Sequence, residues 1–328
     1  MARSDLLLNL VKAGSVGDKR TFQRTVDAIV AEERAKRHGV LADQLERAVK
    51  TLKVNGNHSA SQSASEPTLR ARDYVYEISP KRTLGELVLP DLTYQSAAQL
   101  IEEQQRADVL RSHSLEPRNR VLLVGPPGNG KTTLAEAIAE GLSVPLYVVR
   151  YESVIGSFLG ETATRIKRIF DYVCTLPCVL FFDEFDTIGK ERGDKHETGE
   201  IKRVVSSLLM QVDALPSYVV VVAATNHAEL LDRAVWRRFQ LRLSLPPPSA
   251  KQLAAFVDAL TERTGIRLGM SSQQAVKSLG QVSYSEAEEF FLDVARRQVL
   301  ALGERSPESV VREQLKLWTA RVKDRSVI

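Results

Sequence analysis

The sequence predicts an α/β fold in which a parallel five-stranded sheet is covered by helices. Short apolar runs have the length of buried strands, and helical patterns of apolar residues lie between them. Such alternation is typical of parallel sheets with helices on both faces. The strand-like runs are Val121–Val124, Leu146–Val149, Val179–Phe182, Val219–Val222 and Leu241–Leu245. The helical patterns between them are Thr132–Gly141, Thr162–Val173 and Ile201–Val212.

The regions on either side of this alternation predict further domains. Residues 1–52 form a predicted N-terminal helical module, because apolar residues recur at helical spacing there. The Ser-rich segment 53–75 is a predicted linker, and 76–246 is the sheet-bearing domain. Three prolines at 246–248 end the alternation, and only helical patterns follow. Residues 247–328 are therefore a predicted small all-α lid domain.

Composition and charge narrow the class of protein. The 328 residues are 43% apolar and 26% charged, which is typical of globular proteins rather than disordered or fibrous ones. Because 45 basic residues are nearly matched by 41 acidic ones, charge is compatible with a nucleic-acid partner but does not indicate one. No signal-peptide pattern opens the chain and no apolar stretch is long enough to span a bilayer, so we expect a cytoplasmic protein without membrane contact.

A glycine-rich segment directly after the first strand-like run predicts a phosphate-binding loop. The stretch GPPGNGKT fits the G-x-x-x-x-G-K-[ST] pattern, with a strand before it and a helix after it. Glycines let backbone N–H groups point at phosphate oxygens, and the helix adds its positive end. We expect Lys131 to neutralise the β- and γ-phosphates and Thr132 to ligate Mg²⁺. The predicted nucleotide-binding residues are Gly125, Pro126, Pro127, Gly128, Asn129, Gly130, Lys131, Thr132 and Thr133.

Polar residues end two further strand-like runs. Asp183 and Glu184 follow Val179–Phe182, at the edge of a parallel sheet where ligands bind. Asp183 suits a Mg²⁺ ligand and Glu184 suits a base that polarises water, whereas Asp186 is expected to be a solvated or capping residue. Asn226 can hydrogen-bond a γ-phosphate and a water together, because an amide both donates and accepts.

Four ordered segments, GPPGNGKT, VLFFDEFDTI, AATN and LLDRAVWRRF, resemble the AAA ATPase family in the narrower sense that includes katanin and spastin. The resemblance covers about residues 84–300. It implies ATP hydrolysis with Mg²⁺ in a homo-oligomeric ring, expected to be a hexamer, with Asn226 as the first sensor. Arg237 and Arg238 fall where the family places paired arginine fingers supplied to the neighbouring subunit. The usual Pro-Gly between them is missing, so which one reaches the phosphate stays open.

The same resemblance points to loops that line a ring's channel. Phe158, Leu159 and Gly160 resemble the family's first pore loop, with Phe158 gripping an extended polypeptide; packing of Phe158 in the core is the alternative. The charged segment 188–200 occupies the place of a second pore loop, but a plain solvated loop is nearly as well supported. In the region of the family's second sensor, Glu286 stands where a glycine is usual.

Three functions fit these observations. The first is a remodeller or unfoldase that threads a protein through the ring, with residues 1–52 recruiting a substrate or adaptor or merely packing on the ring. The second is a nucleic-acid motor or loader, and the third is a nucleotide-dependent scaffold. The presence of Lys131, Thr132, Asp183, Glu184, Asn226 and Arg237 together weighs against the scaffold. The predicted catalytic residues are Lys131, Asp183, Glu184, Asn226, Arg237 and Arg238. We expect the adenine contacts within Leu84–Leu92.

Overall fold

A computed structural model of the chain describes residues 25–26, 28, 73–154, 159–186, 198–301 and 303–325. At residues 151, 159–160, 198–204 and 321–325 it describes the backbone alone. Contacts divide the chain into two units, Met1–Ser63 and Ala64–Ile328, and the sheet with its helices belongs to the second unit. The predicted N-terminal module lies almost wholly outside the described residues, and the predicted domain boundaries stay predictions.

The α/β fold predicted from the sequence is confirmed, and the sheet has one strand more than expected. The order across the six-stranded sheet is β1-β3-β4-β5-β2-β6. The five predicted strands run parallel, while the additional β1 pairs antiparallel with β3 at one edge. The strands are β1 (Val75–Ile78), β2 (Arg120–Val124), β3 (Leu146–Val149), β4 (Cys178–Phe182), β5 (Val219–Thr225) and β6 (Leu241–Ser244).

Helices connect and follow these strands. In the sheet-bearing part they are α1 (Asp91–Gln105), α2 (Ala107–Ser112), α3 (Lys131–Gly141), α4 (Tyr151–Val154), α5 (Leu159–Val173), α6 (Thr198–Ala214) and α7 (Arg233–Arg238). Short 3-10 turns lie at Leu84–Glu86 and Ala228–Leu230. The helices after the sheet are α8 (Ala250–Thr264), α9 (Ser272–Leu279), α10 (Tyr284–Leu300) and α11 (Pro307–Arg325).

The central strands are buried on both faces, which explains why they appear in the sequence as uninterrupted apolar runs. In β4, Leu180 and Phe182 enter the core on one face of the sheet, while Val179 and Phe181 enter the core on the other. By contrast, β6 alternates buried and exposed residues. The centre of the sheet is thus held by apolar packing on both sides, and the loops at its strand ends rest on a rigid base.

The helical part has its own apolar core and well-capped helices. Residues of α8, α9, α10 and α11 pack together in a cluster separate from the two sheet cores. Three helices begin with a capping box, in which a serine and the residue three positions later bond each other's backbone N–H groups. These pairs are Ser249 with Gln252, Ser271 with Gln274 and Ser283 with Glu286. Within the described residues, none of the helices combines the length and apolar character that crossing a membrane requires.

Candidate active site

The loop between β2 and α3 is a tight turn whose shape requires glycine. At Gly125 a Cβ atom would lie 2.1 Å from the carbonyl oxygen of Leu245, so no larger residue fits there. Gly130 has a φ of +84°, a left-handed conformation that most side chains disfavour, and it directly precedes α3. The first N–H groups of a helix lack partners within it, which makes the start of α3 attractive to phosphate.

Lys131 lies where this loop meets the end of β5. The side chain is 7% exposed. Its Nζ donates to two loop carbonyl oxygens at 2.7 and 2.9 Å and to Oδ1 of Asn226 at 2.6 Å. Burial lowers the pKa of Lys131, and the carboxylates of Asp183 and Asp186 partly oppose that shift. The structure thus brings the predicted lysine and the predicted polar sensor into direct contact.

The two predicted acidic residues form a turn directly after β4. Oδ2 of Asp183 accepts a hydrogen bond from the Thr132 hydroxyl at 3.3 Å, so the two predicted Mg²⁺ ligands are neighbours. Oδ1 of Asp183 accepts from the backbone N–H of Glu184 at 3.0 Å. Glu184 is exposed and has a φ of +47°, which is uncommon for a residue with a side chain. Backbone strain of this kind concentrates at functional sites.

The expectation that Asp186 is solvated is wrong. Asp186 is 2% exposed, and its Oδ1 accepts a hydrogen bond from the Thr225 hydroxyl at 2.9 Å. The alternative expectation, a capping role, stays a prediction. The same Thr225 oxygen accepts from the backbone N–H of His227 at 3.0 Å. Sequence reasoning missed Thr225, although a hydroxyl residue at the end of an apolar strand was a usable signal. Burying a carboxylate is costly, and the hydrogen bond from Thr225, 39 positions later in the chain, offsets part of that cost.

These groups line a cavity of ≈ 700 Å³. Its polar side consists of Lys131, Thr132, Asp183, Glu184 and Asn226. Its apolar side consists of Leu87, Leu89, Phe256, Leu260 and Tyr284. A volume of this size suits a ligand as large as a nucleotide. Part of the segment expected to contact adenine therefore does line the cavity, whereas Phe256 and Leu260 carried no signal in the sequence.

The helical part contacts the phosphate loop and the apolar side directly. The backbone N–H of Ser285 donates to the Gly128 carbonyl at 3.0 Å, and the Tyr284 hydroxyl donates to the Val88 carbonyl at 3.0 Å. The ring of Tyr284 also packs edge-on against Phe256, with centroids 5.1 Å apart. Burial raises the pKa of Tyr284 to about 12.

The residue in the place of the family's usual glycine turns away from the cavity. The Glu286 carboxylate accepts from the backbone N–H and the hydroxyl of Ser283, each at 2.9 Å. This bonding completes the cap of α10 and explains how a long side chain is accommodated there. A cation that sequence reasoning missed, Arg263, lines the cavity and pairs with Glu288 at 2.8 Å.

The two arginines at the end of α7 have different surroundings. Nε of Arg238 pairs with Oδ2 of Asp213 at 2.7 Å, and Asp213 also pairs with Arg120 at 2.6 Å. Arg237 is exposed, and its guanidinium has no hydrogen bond or ion pair with the described part of the chain. Neither arginine belongs to the described lining of this cavity.

The predicted channel loops are only partly described. Phe158 lies outside the described residues, while Leu159 and Gly160 are the first two residues of α5 and only their backbone is described. Of the charged segment 188–200, residues up to 197 lie outside the description and α6 begins at Thr198. The pore-loop assignment stays a prediction.

Comparison with known proteins agrees with this geometry. Residues 121–247 match the model of the "ATPase family associated with various cellular activities (AAA)". The AAA family ATPase y4kL of Sinorhizobium fredii is 38% identical over 262 residues, which are 78% of each chain. A putative 26S proteasome regulatory subunit homolog of Methanothermobacter thermautotrophicus is 32% identical over 56% of this chain and 50% of its own length. The peroxisomal ATPase PEX6 of Pichia angusta is 30% identical over 68% of this chain and 22% of its own length.

The chain thus spans most of y4kL but half or less of the other two relatives. The match to y4kL extends over both the sheet-bearing part and residues beyond the 121–247 segment, since it covers 262 residues. Together with the phosphate loop, the acidic turn and the adjoining asparagine, these matches identify the chain as an ATPase that belongs to the AAA family.

Proposed function

We propose that this ATPase works as a homo-oligomeric ring of six subunits that remodels or unfolds a protein substrate. The observation that carries the proposal is the separation of Arg237 from the cavity of its own chain. Lys131, Asp183, Glu184 and Asn226 converge on that cavity, whereas Arg237 is exposed on α7. An arginine finger supplied across a subunit boundary has this arrangement, and a repeated head-to-tail interface forms a ring when its rotation closes.

We assign roles in hydrolysis from the contacts on the polar side of the cavity. Lys131 and the N–H groups of the loop bind the β- and γ-phosphates. Glu184 polarises the attacking water and Asn226 orients it, because a carboxylate can accept the proton and an amide can bond both water and phosphate.

Two observations support a phosphate ligand with Mg²⁺ in the cradle. The hydroxyl of Thr132 and the carboxylate of Asp183 are hard oxygen donors in contact, as Mg²⁺ prefers. Asn129 is 3% exposed, yet its amide nitrogen and oxygen have no partner among the described residues. A polar ligand in the loop would satisfy such a group. Mg²⁺ held by Thr132 and Asp183 would neutralise charge on the phosphates.

The contacts of α7 favour Arg237 as the finger and give Arg238 an anchoring role. A finger must extend to a neighbour, and the exposed Arg237 is available for that. Arg238 is held by Asp213, which also pairs with Arg120 at 2.6 Å, so this cluster ties the end of α7 to its own subunit. Redirecting Arg238 to a neighbour would leave Asp213 with one cation instead of two.

Mixing subunits tests this assignment. We expect Arg237→Ala to lower kcat by about 10³-fold, the range of arginine fingers, while ATP affinity is retained. Arg238→Ala should lower kcat less and reduce thermal stability. Mixed rings of Arg237→Ala and Lys131→Ala subunits should regain turnover, since each variant supplies what the other lacks. Equal effects of the two arginines, or full turnover by an isolated protomer, would contradict the proposal.

A protein substrate is supported by one of the relatives, which is named a putative 26S proteasome regulatory subunit homolog. We assign substrate grip to Phe158 and recruitment of the substrate or an adaptor to residues 1–52.

The grip is tested with Phe158→Ala, using Phe158→Tyr as a matched control that keeps an aromatic ring. Basal ATP hydrolysis should persist in both, and processing of captured substrate should be lost only in the alanine variant. The substrate is captured with Glu184→Gln in ATP. Recovery of nucleic acid in a salt-dependent manner, without protein, would instead favour the motor or loader.

A further inference from the structure

Thr225 joins three loops of the active site. Its carbonyl oxygen accepts from the N–H of Gly125, the first residue of the phosphate loop, at 3.2 Å. Its hydroxyl donates to Asp186 at 2.9 Å and accepts from the N–H of His227 at 3.0 Å. The side chain is completely buried. Thr225 therefore contacts the phosphate loop and the acidic turn, and it bonds the residue on the far side of Asn226.

The Thr225 hydroxyl holds the backbone around Asn226 through the bond that it accepts, and ties it to Asp186 through the bond that it donates. Asn226 lies between Thr225 and His227, and the Thr225 hydroxyl bridges these flanking positions. The asparagine side chain itself accepts a hydrogen bond from Nζ of Lys131 at 2.6 Å, and that lysine belongs to the phosphate loop. Asn226 is thus held at its side chain by Lys131, while the residues on either side of it are joined through the Thr225 hydroxyl.

Asp186, which accepts the hydrogen bond from the Thr225 hydroxyl, lies in a tightly packed turn. It is 2% exposed and comes two residues after Glu184, whose backbone is in the left-handed region. Phe185 between them packs edge-on against Phe182 and Phe239, with centroids 5.9 Å apart in each pair. Two consecutive buried residues thus fix the turn directly after Glu184. Such surrounding contacts are what allows an uncommon backbone conformation to persist.

We propose that Asp186 and Thr225 are a positioning pair that sets Asn226 at a fixed distance from Glu184. Neither residue touches the reacting atoms: Thr225 acts through the adjacent Asn226, and Asp186 through Glu184, two positions before it. The inference rests on the proposed roles of Glu184 as the base and Asn226 as the orienting amide. Glu184 and Asn226 must hold the same water, and small errors in such geometry slow a reaction much more than they weaken binding.

The main test compares Thr225→Val, which keeps the shape but removes the hydroxyl, with Thr225→Ser, which keeps the hydroxyl. We expect Thr225→Val to lower kcat by about 10- to 100-fold and to leave the KM for ATP within about twofold. Thr225→Ser should restore kcat to within about threefold of the parent. An unchanged kcat in Thr225→Val would overturn the proposal, and so would a parallel loss of ATP affinity, which indicates general damage to the fold.

A double-mutant cycle separates positioning from plain stabilisation. If Thr225 acts through Asn226, Thr225→Val should add nothing to Asn226→Ala, whereas independent effects would multiply and overturn the proposal.

Asp186→Asn keeps an oxygen acceptor for the Thr225 hydroxyl, so it should retain at least about a third of kcat. A loss as large as that of Thr225→Val would assign the effect to charge instead.

Turnover of the single variants, with Glu184→Gln added, distinguishes failure of the proposed function from failure of the inference. If Asn226→Ala or Glu184→Gln keeps normal turnover, the assigned roles are wrong. If both lose turnover while Thr225→Val does not, only the positioning pair is wrong. Thermal unfolding of each variant confirms that folded protein is compared.

Discussion

The polar and apolar sides of the cavity are built in different ways. On the polar side, loops after three parallel strands are joined to one another, as in the contacts of Thr225 with Gly125 and Asp186. On the apolar side, the segment between β1 and α1 meets a helix that begins 196 positions after Val88, through the Tyr284 hydroxyl and the Val88 carbonyl. One side is fixed by the sheet, and the other depends on how the helical part is placed. We therefore expect changes on the polar side to alter turnover and changes on the apolar side to alter nucleotide affinity.

The largest effect should come from the polar side. Glu184→Gln should lower kcat by about 10²- to 10⁴-fold, because the amide cannot accept the proton of the attacking water. ATP affinity should be unchanged, as measured by binding of a fluorescent ATP analogue. Glu289→Gln is a matched control, since Glu289 is exposed on α10 and absent from the cavity lining. Normal turnover in Glu184→Gln would remove the base from the mechanism.

An intermediate effect should come from the apolar side. Phe256→Ala should raise the KM for ATP by about tenfold with little change in kcat, because an apolar wall of the cavity is lost. Phe256→Leu should fall between the parent and the alanine variant. Inorganic triphosphate should bind Phe256→Ala as tightly as it binds the parent, because it contacts only the polar side. Equal weakening of ATP and triphosphate would show that the two sides are not separable in this way.

The smallest effect should come from the bond that joins the helical part to Val88. Tyr284→Phe removes the hydroxyl and keeps the ring against Phe256. We expect the KM for ATP to rise by about two- to fivefold, because Val88 is only partly buried and water can replace the lost donor. Steady-state kinetics measure this change. A large fall in kcat instead would place this bond in the catalytic step.

The same difference decides how much the sequence could predict. The polar side was predicted almost completely. Asp183 and Asn226 directly follow apolar strands, where polar residues are conspicuous, and Lys131 belongs to a recognisable glycine-rich pattern. The apolar side was predicted only as the segment Leu84–Leu92. Phe256 and Leu260 belong to an ordinary amphipathic helix, and nothing local distinguishes a residue that faces a ligand from one that faces a core.

The two differences from expectation have physical explanations. Asp186 looked solvated because its compensating partner, Thr225, is remote in sequence and only the fold brings them together. The edge strand β1 has only four residues, of which Val75 is buried while Tyr76 and Glu77 are exposed. So short and mixed a pattern is not distinguishable from a loop in the sequence. The strand is instead defined by its antiparallel hydrogen bonding with β3.

The close contact between Gly125 and Leu245 has a mechanical consequence. Leu245 is also bonded through its N–H to the Val124 carbonyl at 2.7 Å, so it is held on both sides at the root of the phosphate loop. It directly precedes the three prolines that stiffen the connection to α8. The phosphate loop cannot move closer to the Leu245 backbone without displacing the proline segment that leads into α8. We therefore expect movement of the phosphate loop on nucleotide binding or release to be transmitted through Leu245 and the prolines to the start of α8.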